Sequence, residues 1–346
     1  MFRRVAGRPV RPLRRPRGRS SSERFPHSIV GLVLLLLSPG LPEAQVRIPR
    51  VGILVPQMER SQSQAIKGLR EELKQLGYQE KKSIILETRN AKGDRGALQP
   101  AASELVAQKS DVIFSTGTRA TRAAKSATGE VPIVFIHPAD PVALGLVKSM
   151  ERSGTNLTGV AGLALQMTDK RLSLLKEIMP KLQRIHIFYD SNNEFSREYF
   201  ALSEKAATRL GILAAAHAIK SIDELKATME SLDKREGDAF FQIPDDLVEG
   251  EIDFIFDTAR RKKLPSMSNE EIWALKGAMA AYGPSHYQMG RQAADLVDKI
   301  LKGQRPENVP IERANKFDFI INYRTATFIG VALSPDILKR ADKVIR

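Results

Sequence analysis

From residue 50 to residue 262, short β-rich apolar runs alternate with amphipathic helical windows, and this alternation limits the possible folds more than any other feature. A strand that is apolar on both faces must be covered on both faces, and helices returning between parallel strands supply that cover. Residues 51–55 (VGILV) read as a buried strand from their unbroken apolar run. In the window 63–76, Ile66, Leu69, Leu73 and Leu76 fall at helical spacing, and Gly77 stops the helix. The same reading predicts strands at 83–88, 111–115 and 132–136 and helices at 98–107 and 118–127. After a helix at 168–179 that ends at Pro180, the pattern repeats with strands at 184–189, 213–219 and 238–243 and helices at 194–210, 222–232 and 250–262. Two α/β blocks in tandem predict two Rossmann-like lobes with parallel sheets, joined by a multi-crossing hinge in which residues 159–168 make one crossing. Residues 50–163 with about 284–316 are assigned to lobe I, and residues 166–282 with about 322–346 to lobe II. The closing segment, 287–346, is expected to add helices and one strand at 317–321.

Ahead of this block, residues 29–37 (IVGLVLLLL) form a nine-residue apolar run behind an arginine-rich segment. Crossing a bilayer takes about 20 apolar residues, so the run is too short to span. A basic segment, a short apolar core and the helix-breaking Pro39-Gly40 instead make residues 1–45 a secretory leader, with cleavage expected after Ala44. An uncleaved anchor, or a start codon placed too far upstream, would explain the same segment. Nine arginines and two glutamates in the leader account for +7 of the net charge of +14. The other charges are interspersed along helical windows in both signs, which argues against a nucleic-acid partner. The chain has no cysteine. Disulfides, thiolate metal sites, cysteine nucleophiles and a lipid-anchored cysteine are therefore excluded, and a free periplasmic monomer is expected.

Catalytic and cofactor signatures are missing. There is no G-x-G-x-x-G after the first strand, no G-x-x-x-x-G-K-[ST], no H-E-x-x-H and no G-x-S-x-G. His27, His137, His186, His217 and His286 are scattered without metal-ligand spacing, and His186 and His217 read as structural residues within strands. No metal, cofactor or catalytic residue is expected. What is left is a set of polar turns at strand ends, where open α/β sheets bind their ligands. Ser115, Thr116, Gly117 and Thr118 sit between a strand and a helix, where N–H groups and hydroxyls suit an anion or form an ordinary N-cap. Asp140, held between Pro138 and Pro141, either meets a ligand amine or shapes a turn. Asp190, Ser191 and Asn192 follow another strand, Asp245 and Asp246 the next, and Ser268, Asn269 and Glu270 a further one. Residues 156–159 read as backbone shaping before the crossing.

At these residues the sequence resembles the ABC-transporter substrate-binding proteins, the family that includes tryptophan- and other aromatic amino-acid-binding members. The resemblance runs from Val51 to Ile345. It rests on Leu76-Gly77-Tyr78, STGT at 115–118, PIVF at 132–135, Asp140-Pro141-Val142, Gly145-Leu146-Val147 and GTNLTGV at 154–160. Lys170-Arg171-Leu172 with its helix to Pro180, Ala281-Tyr282-Gly283, DKILKG at 298–303, residues 317–322 and Arg340-Ala341-Asp342 extend it. The resemblance implies a type I periplasmic-binding fold that closes on a small solute, such as an amino acid or related carboxylate, and delivers it to an ABC permease in the inner membrane without chemistry. Carried onto this sequence, the ligand contacts would be Gln57, Met58, Glu59, Ser115, Thr116, Gly117, Thr118, Asp140, Asp190, Ser191, Asn192, Asp245, Ser268, Asn269 and Glu270. Two departures stand out: Pro56-Gln57-Met58-Glu59 is bulkier than the family's usual turn, and Trp273 is the single tryptophan. Aromatic specificity is therefore not implied. A ligand-sensing module of the same fold, or a periplasmic enzyme using Asp140 with Asp245, are the alternative readings.

Overall fold

The computed structural model describes residues 47–346 apart from Arg95, Pro138, Ala139, Ala143, Ala164 and Leu165, so the leader expected at residues 1–45 lies outside the described residues. Among the described residues no helix is long and apolar enough to cross a membrane. The chain begins with β1 (Arg50–Val55), α1 (Arg60–Gln75), β2 (Ile85–Asn90), α2 (Leu98–Ala107), β3 (Val112–Thr116), α3 (Gly117–Ala127), β4 (Ile133–His137) and β5 (Leu157–Ala161). It continues with α4 (Thr168–Ile178), β6 (Arg184–Asp190), α5 (Glu194–Arg209), β7 (Leu213–Ile219), α6 (Ile222–Ser231), β8 (Asp238–Phe241), α7 (Asp246–Gly250) and α8 (Ile252–Arg261). Then come β9 (Ser266–Ser268), α9 (Glu271–Leu275), β10 (Ala280–Pro284), α10 (His286–Leu301), β11 (Glu312–Arg313), β12 (Phe317–Asn322), α11 (Tyr323–Ile329), α12 (Pro335–Arg340) and β13 (Lys343–Ile345).

Two sheets result, ordered β11-β5-β4-β3-β1-β2 and β13-β12-β10-β9-β8-β6-β7. Among the described residues all strand pairs are parallel except β10 with β12. The chain passes between the sheets after β5, after β10 and after β11, and two of these crossings are tied where the Ser285 N–H donates to the Lys316 carbonyl at 3.0 Å.

Each sheet is covered on both faces, as continuous apolar strands require. Val51, Ile53 and Val55 of β1 pack with Ile66 and Leu69 of α1 and Met289 and Leu296 of α10, whereas Leu54 faces Leu105 of α2 and Ala120 of α3. In the second sheet Ile185 and Ile187 pack on the side of Leu172 and Leu175 of α4, and Phe188 on the side of Ile255 and Phe256 of α8.

The structure differs from the sequence reading in four places. The second strand starts at Ile85, with Glu80 and Ile84 forming only an isolated bridge. Residues 157–161, read as backbone shaping and the start of a crossing, form the buried strand β5. Gly159 allows this, because a Cβ there would lie 2.2 Å from the Phe135 carbonyl oxygen on β4. The helix expected at 250–262 is α8, and a short helix the sequence reading did not foresee, α7, precedes it. The closing segment carries β11 and β13 besides β12, both too short to show a pattern in sequence.

α10 returns to the first sheet and crosses α1 at backbone contact. A Cβ on Gly290 would sit 2.0 Å from the Ala65 carbonyl oxygen, and one on Gly68 would sit 2.0 Å from that of Tyr287. Side chains at either position would push the helices apart and open the core beneath. Gly290→Ala should therefore lower unfolding stability by about 2 kcal/mol or more, read by urea denaturation. Gly129→Ala, with nothing within 4 Å, should stay within about 0.5 kcal/mol of the parent.

Candidate functional site

Loops at the carboxyl ends of the two sheets meet. After β1, Arg60 pairs with Glu271 of α9 at 3.2 Å and Glu59 with Lys276 at 3.8 Å. On α5, burial pushes the Tyr199 hydroxyl upward, and the Asp140 carboxylate, from the loop after β4, adds to that rise. These contacts bring the strand ends of the two sheets together.

Several of the residues expected to bind ligand are occupied within their own lobe. The Ser115 hydroxyl meets that of Thr121 at 2.9 Å, and Thr121 donates to the Gly117 carbonyl at 2.9 Å. Gly117, at φ +79°, turns β3 into α3. Asp140 accepts from the Val142 N–H at 2.8 Å and Asp190 from that of Asn192 at 2.8 Å, both shaping turns. The Ser191 hydroxyl donates to the Ile219 carbonyl at 3.2 Å, and Asn192 is exposed. Asp245 is a clamp. One oxygen caps α7 through the N–H groups of Leu247 (2.9 Å) and Val248 (3.0 Å), and the other accepts from the Asp190 N–H at 2.7 Å. Gln57 lies against Gly93 of its own lobe, and Met58 lines an outer recess with Ile66, Lys67 and Arg70. The Ser268 hydroxyl reaches only the carbonyls of Glu270 and Ala280, both at 3.4 Å. Thr118 bonds within the protein.

A smaller set is buried and has polar atoms with no protein partner. The Thr116 hydroxyl, at the end of β3, has none, and neither does the oxygen or nitrogen of the Asn269 amide, at the end of β9. Glu270 beside it is buried, which pushes its carboxyl above the usual range. His286, 3.7 Å away, pulls it partly back, while Glu59 raises it.

The sequence reading missed Arg171. It lies on the first turn of α4, in the stripe of Thr168, Leu172, Leu175 and Ile178 that faces the core. The visible signal was a charged residue inside an apolar stripe. Arg171 is fully buried. Its Nη1 donates to the Gln242 carbonyl at 2.7 Å, just past the end of β8, and its guanidinium lies 4.6 Å over the Phe241 ring. Nε and Nη2 have no protein acceptor, and the Thr168 hydroxyl one turn away is likewise without a partner. Burial drags the Arg171 pKa down to about 10, with Tyr199 opposing, so the group stays charged at neutral pH. Gln242 joins this cluster to Asn269, whose N–H donates to the Gln242 side-chain oxygen at 3.2 Å.

His186 and His217 lie elsewhere. Their rings meet at 2.9 Å, and His186 reaches Asp238 at 3.2 Å, near the start of β8 and far along the strands from the cleft. Asp238 is in turn gripped by Arg184. Among the described residues no group of three or more His, Cys, Asp or Glu side chains could hold a metal ion.

The family described as ABC transporter substrate binding protein matches residues 50–345. A tyrosine-binding protein of Clostridioides difficile (strain R20291) is 28% identical over 280 residues, covering 81% of this chain and 80% of that protein. The ligand-free, open structure of a substrate binding protein with adhesive properties from Clostridium difficile superposes with a TM-score of 0.71 at 25% identity, covering 86% of this chain and 99% of that one. An ABC domain from Streptococcus pneumonia in complex with L-Trp gives a TM-score of 0.73 at 22% identity, covering 86% and 100%, a likeness of fold.

Two outcomes follow from these placements. Asp245→Ala leaves three N–H groups without their acceptor and should cost about 2–4 kcal/mol of stability, read by denaturant unfolding. Burial, then the neighbouring His186 and Arg184, hold the His217 pKa down at about 4. An unfolded histidine titrates near 6.5, so between these values the unfolded chain binds more protons and stability falls as pH falls. From pH 6.5 to 4.5 the loss should be about 1 kcal/mol, solvent screening at the half-buried ring included. It should shrink in His217→Asn when thermal unfolding is followed across that window.

Proposed function

Because the chain belongs to the ABC transporter substrate-binding protein family, we propose that it captures a small molecule, an amino acid or related carboxylate, between its lobes and delivers it to an ABC permease of the inner membrane. One observation carries the reading. On both sides of the cleft, at the carboxyl ends of β3 and β9, buried polar atoms of Thr116 and Asn269 lack protein partners. A buried polar group left unsatisfied costs about 1–3 kcal/mol, so native structures keep few of them. A polar solute gripped between the lobes would satisfy them. The amino-acid class is supported by the tyrosine-binding relative.

The contacts between the lobes suit reversible closure. Arg60–Glu271 and Glu59–Lys276 are partly exposed, and such pairs contribute only about 0–1 kcal/mol each. They align the lobes without locking them, so the solute's preference for the closed form sets the population. Nothing in the cleft needs to act as a nucleophile. Asp245, half of the carboxylate pair an enzyme would use, has its oxygens engaged by three N–H groups. We place the protein in the periplasm as a monomer, exported by residues 1–45.

A thermal-shift screen of the L-amino acids and simple carboxylic acids tests the reading. The cognate solute should stabilise the protein by about 3–4 kcal/mol at several hundred times its Kd. Small-angle scattering should show compaction on binding, and the solute should be recovered unchanged. Failure of every compound to bind, or consumption of one, would sink it.

A further inference from the structure

We propose that Arg171 is the counter-ion of the captured solute: the Nε–H and Nη2–H edge of its guanidinium takes both oxygens of a carboxylate, which makes the cleft selective for acids. This deepens the binding reading above and rests on it. A guanidinium offers five N–H donors in a rigid fork, and its Nε/Nη2 edge presents two parallel bonds at the spacing of a carboxylate. In Arg171 that is the edge without a protein acceptor, while Nη1 on the other side is held by the Gln242 carbonyl.

The same chain shows what this edge does when an acid is at hand. Arg184 grips Asp238 with it, Nε to Oδ1 at 3.0 Å and Nη2 to Oδ2 at 2.5 Å. Arg171 is buried more deeply than Arg184, yet among the described residues no carboxylate forms an ion pair with it. Its surroundings are the Phe241 ring below, the Gln242 carbonyl beside it and the Tyr199 phenol from α5. All three are neutral, and the Asp140 and Glu249 carboxylates that act on the Tyr199 phenol make no hydrogen bond to the Nε/Nη2 edge, so that side of the charge has no direct partner. A buried lone charge is strongly unfavourable unless an opposite charge joins it. Nη1 anchors the fork and the aromatic ring fixes its plane, so little freedom is lost when an acid binds. Asn269, linked to the same Gln242, is placed to complete recognition of the polar end of the solute.

The test uses the purified protein and calorimetric titration with L-tyrosine, its decarboxylated amine tyramine, and 3-(4-hydroxyphenyl)propionate, which keeps the acid and lacks the amine. L-tryptophan, L-leucine, L-glutamate and succinate complete the panel. An acid should bind the parent protein, and the decarboxylated analogue of a bound amino acid should bind about 100-fold more weakly or not at all. Arg171→Met should weaken binding of that acid about 100-fold, and Arg171→Lys, which keeps charge but loses the fork, about tenfold or more. The melting temperature of Arg171→Met without solute should not fall, because an uncompensated buried charge has been removed. A residue serving only the fold would behave in the opposite way.

The inference is overturned if tyramine binds as tightly as tyrosine, if Arg171→Met and Arg171→Lys keep affinity within threefold, or if no acid of the panel binds. Binding of 3-(4-hydroxyphenyl)propionate or succinate alone, lost in both variants, would uphold Arg171 while refuting the amino-acid reading. Binding of an amino acid unaffected in both variants would do the reverse.

Discussion

Parallel pairing determines where this molecule can have a site. Strands that run the same way all end at one edge of their sheet, so the turns that leave them gather there, and the helices that return the chain are confined to the two faces. In the first sheet this edge collects the turns after β1, β3 and β4, and in the second those after β6, β8 and β9. The one antiparallel pair follows from the hinge. β10 leaves the second sheet at that edge to feed α10, and the chain comes back through Lys316, which is bonded to Ser285, so β12 must run opposite to β10. Three crossings join the two sheets at one edge, and the backbone contact between α1 and α10 ties the returning helix to the first sheet's cover.

Architecture was legible in the sequence because it depends on burial, and burial leaves a period. The helix expected at 98–107 is α2 residue for residue, since its apolar positions and its ends are both local. β5 was not legible, because its Thr158 and Gly159 answer a distant constraint, the closeness of Phe135 on β4. β11 escaped notice for another reason: its pairing partner, not its own composition, makes it a strand.

The site was legible only in part. The polar turns were found at the strand ends, but sequence does not say whether a polar side chain is already engaged nearby. Asp245, Ser115 and Asp190 spend their hydrogen bonds on holding turns and helix starts in place. Their neighbours Thr116 and Asn269, indistinguishable from them by composition, do not. Arg171 lies on a helix, away from the polar turns at the strand ends. A charge inside an otherwise apolar stripe is a contradiction in helix patterning, and such contradictions are where function is expected.

The unpartnered groups also bear on how the lobes move. A domain of this size holds its fold with about 5–15 kcal/mol, and an enclosed charge with several unsatisfied polar atoms takes several kcal/mol from the closed arrangement. Opening the cleft lets water reach Arg171, Thr116 and Asn269, while the partly exposed pairs at Arg60 and Lys276 give up little. On the binding role proposed above, the balance without solute favours opening. On the same proposal, an acid on the guanidinium edge removes the largest of these penalties only when both lobes surround it. In the proposed role, the features that make a closed form poor by itself are the ones that make closure depend on the solute, so a better-packed and fully satisfied cleft would be more stable and would no longer respond to it.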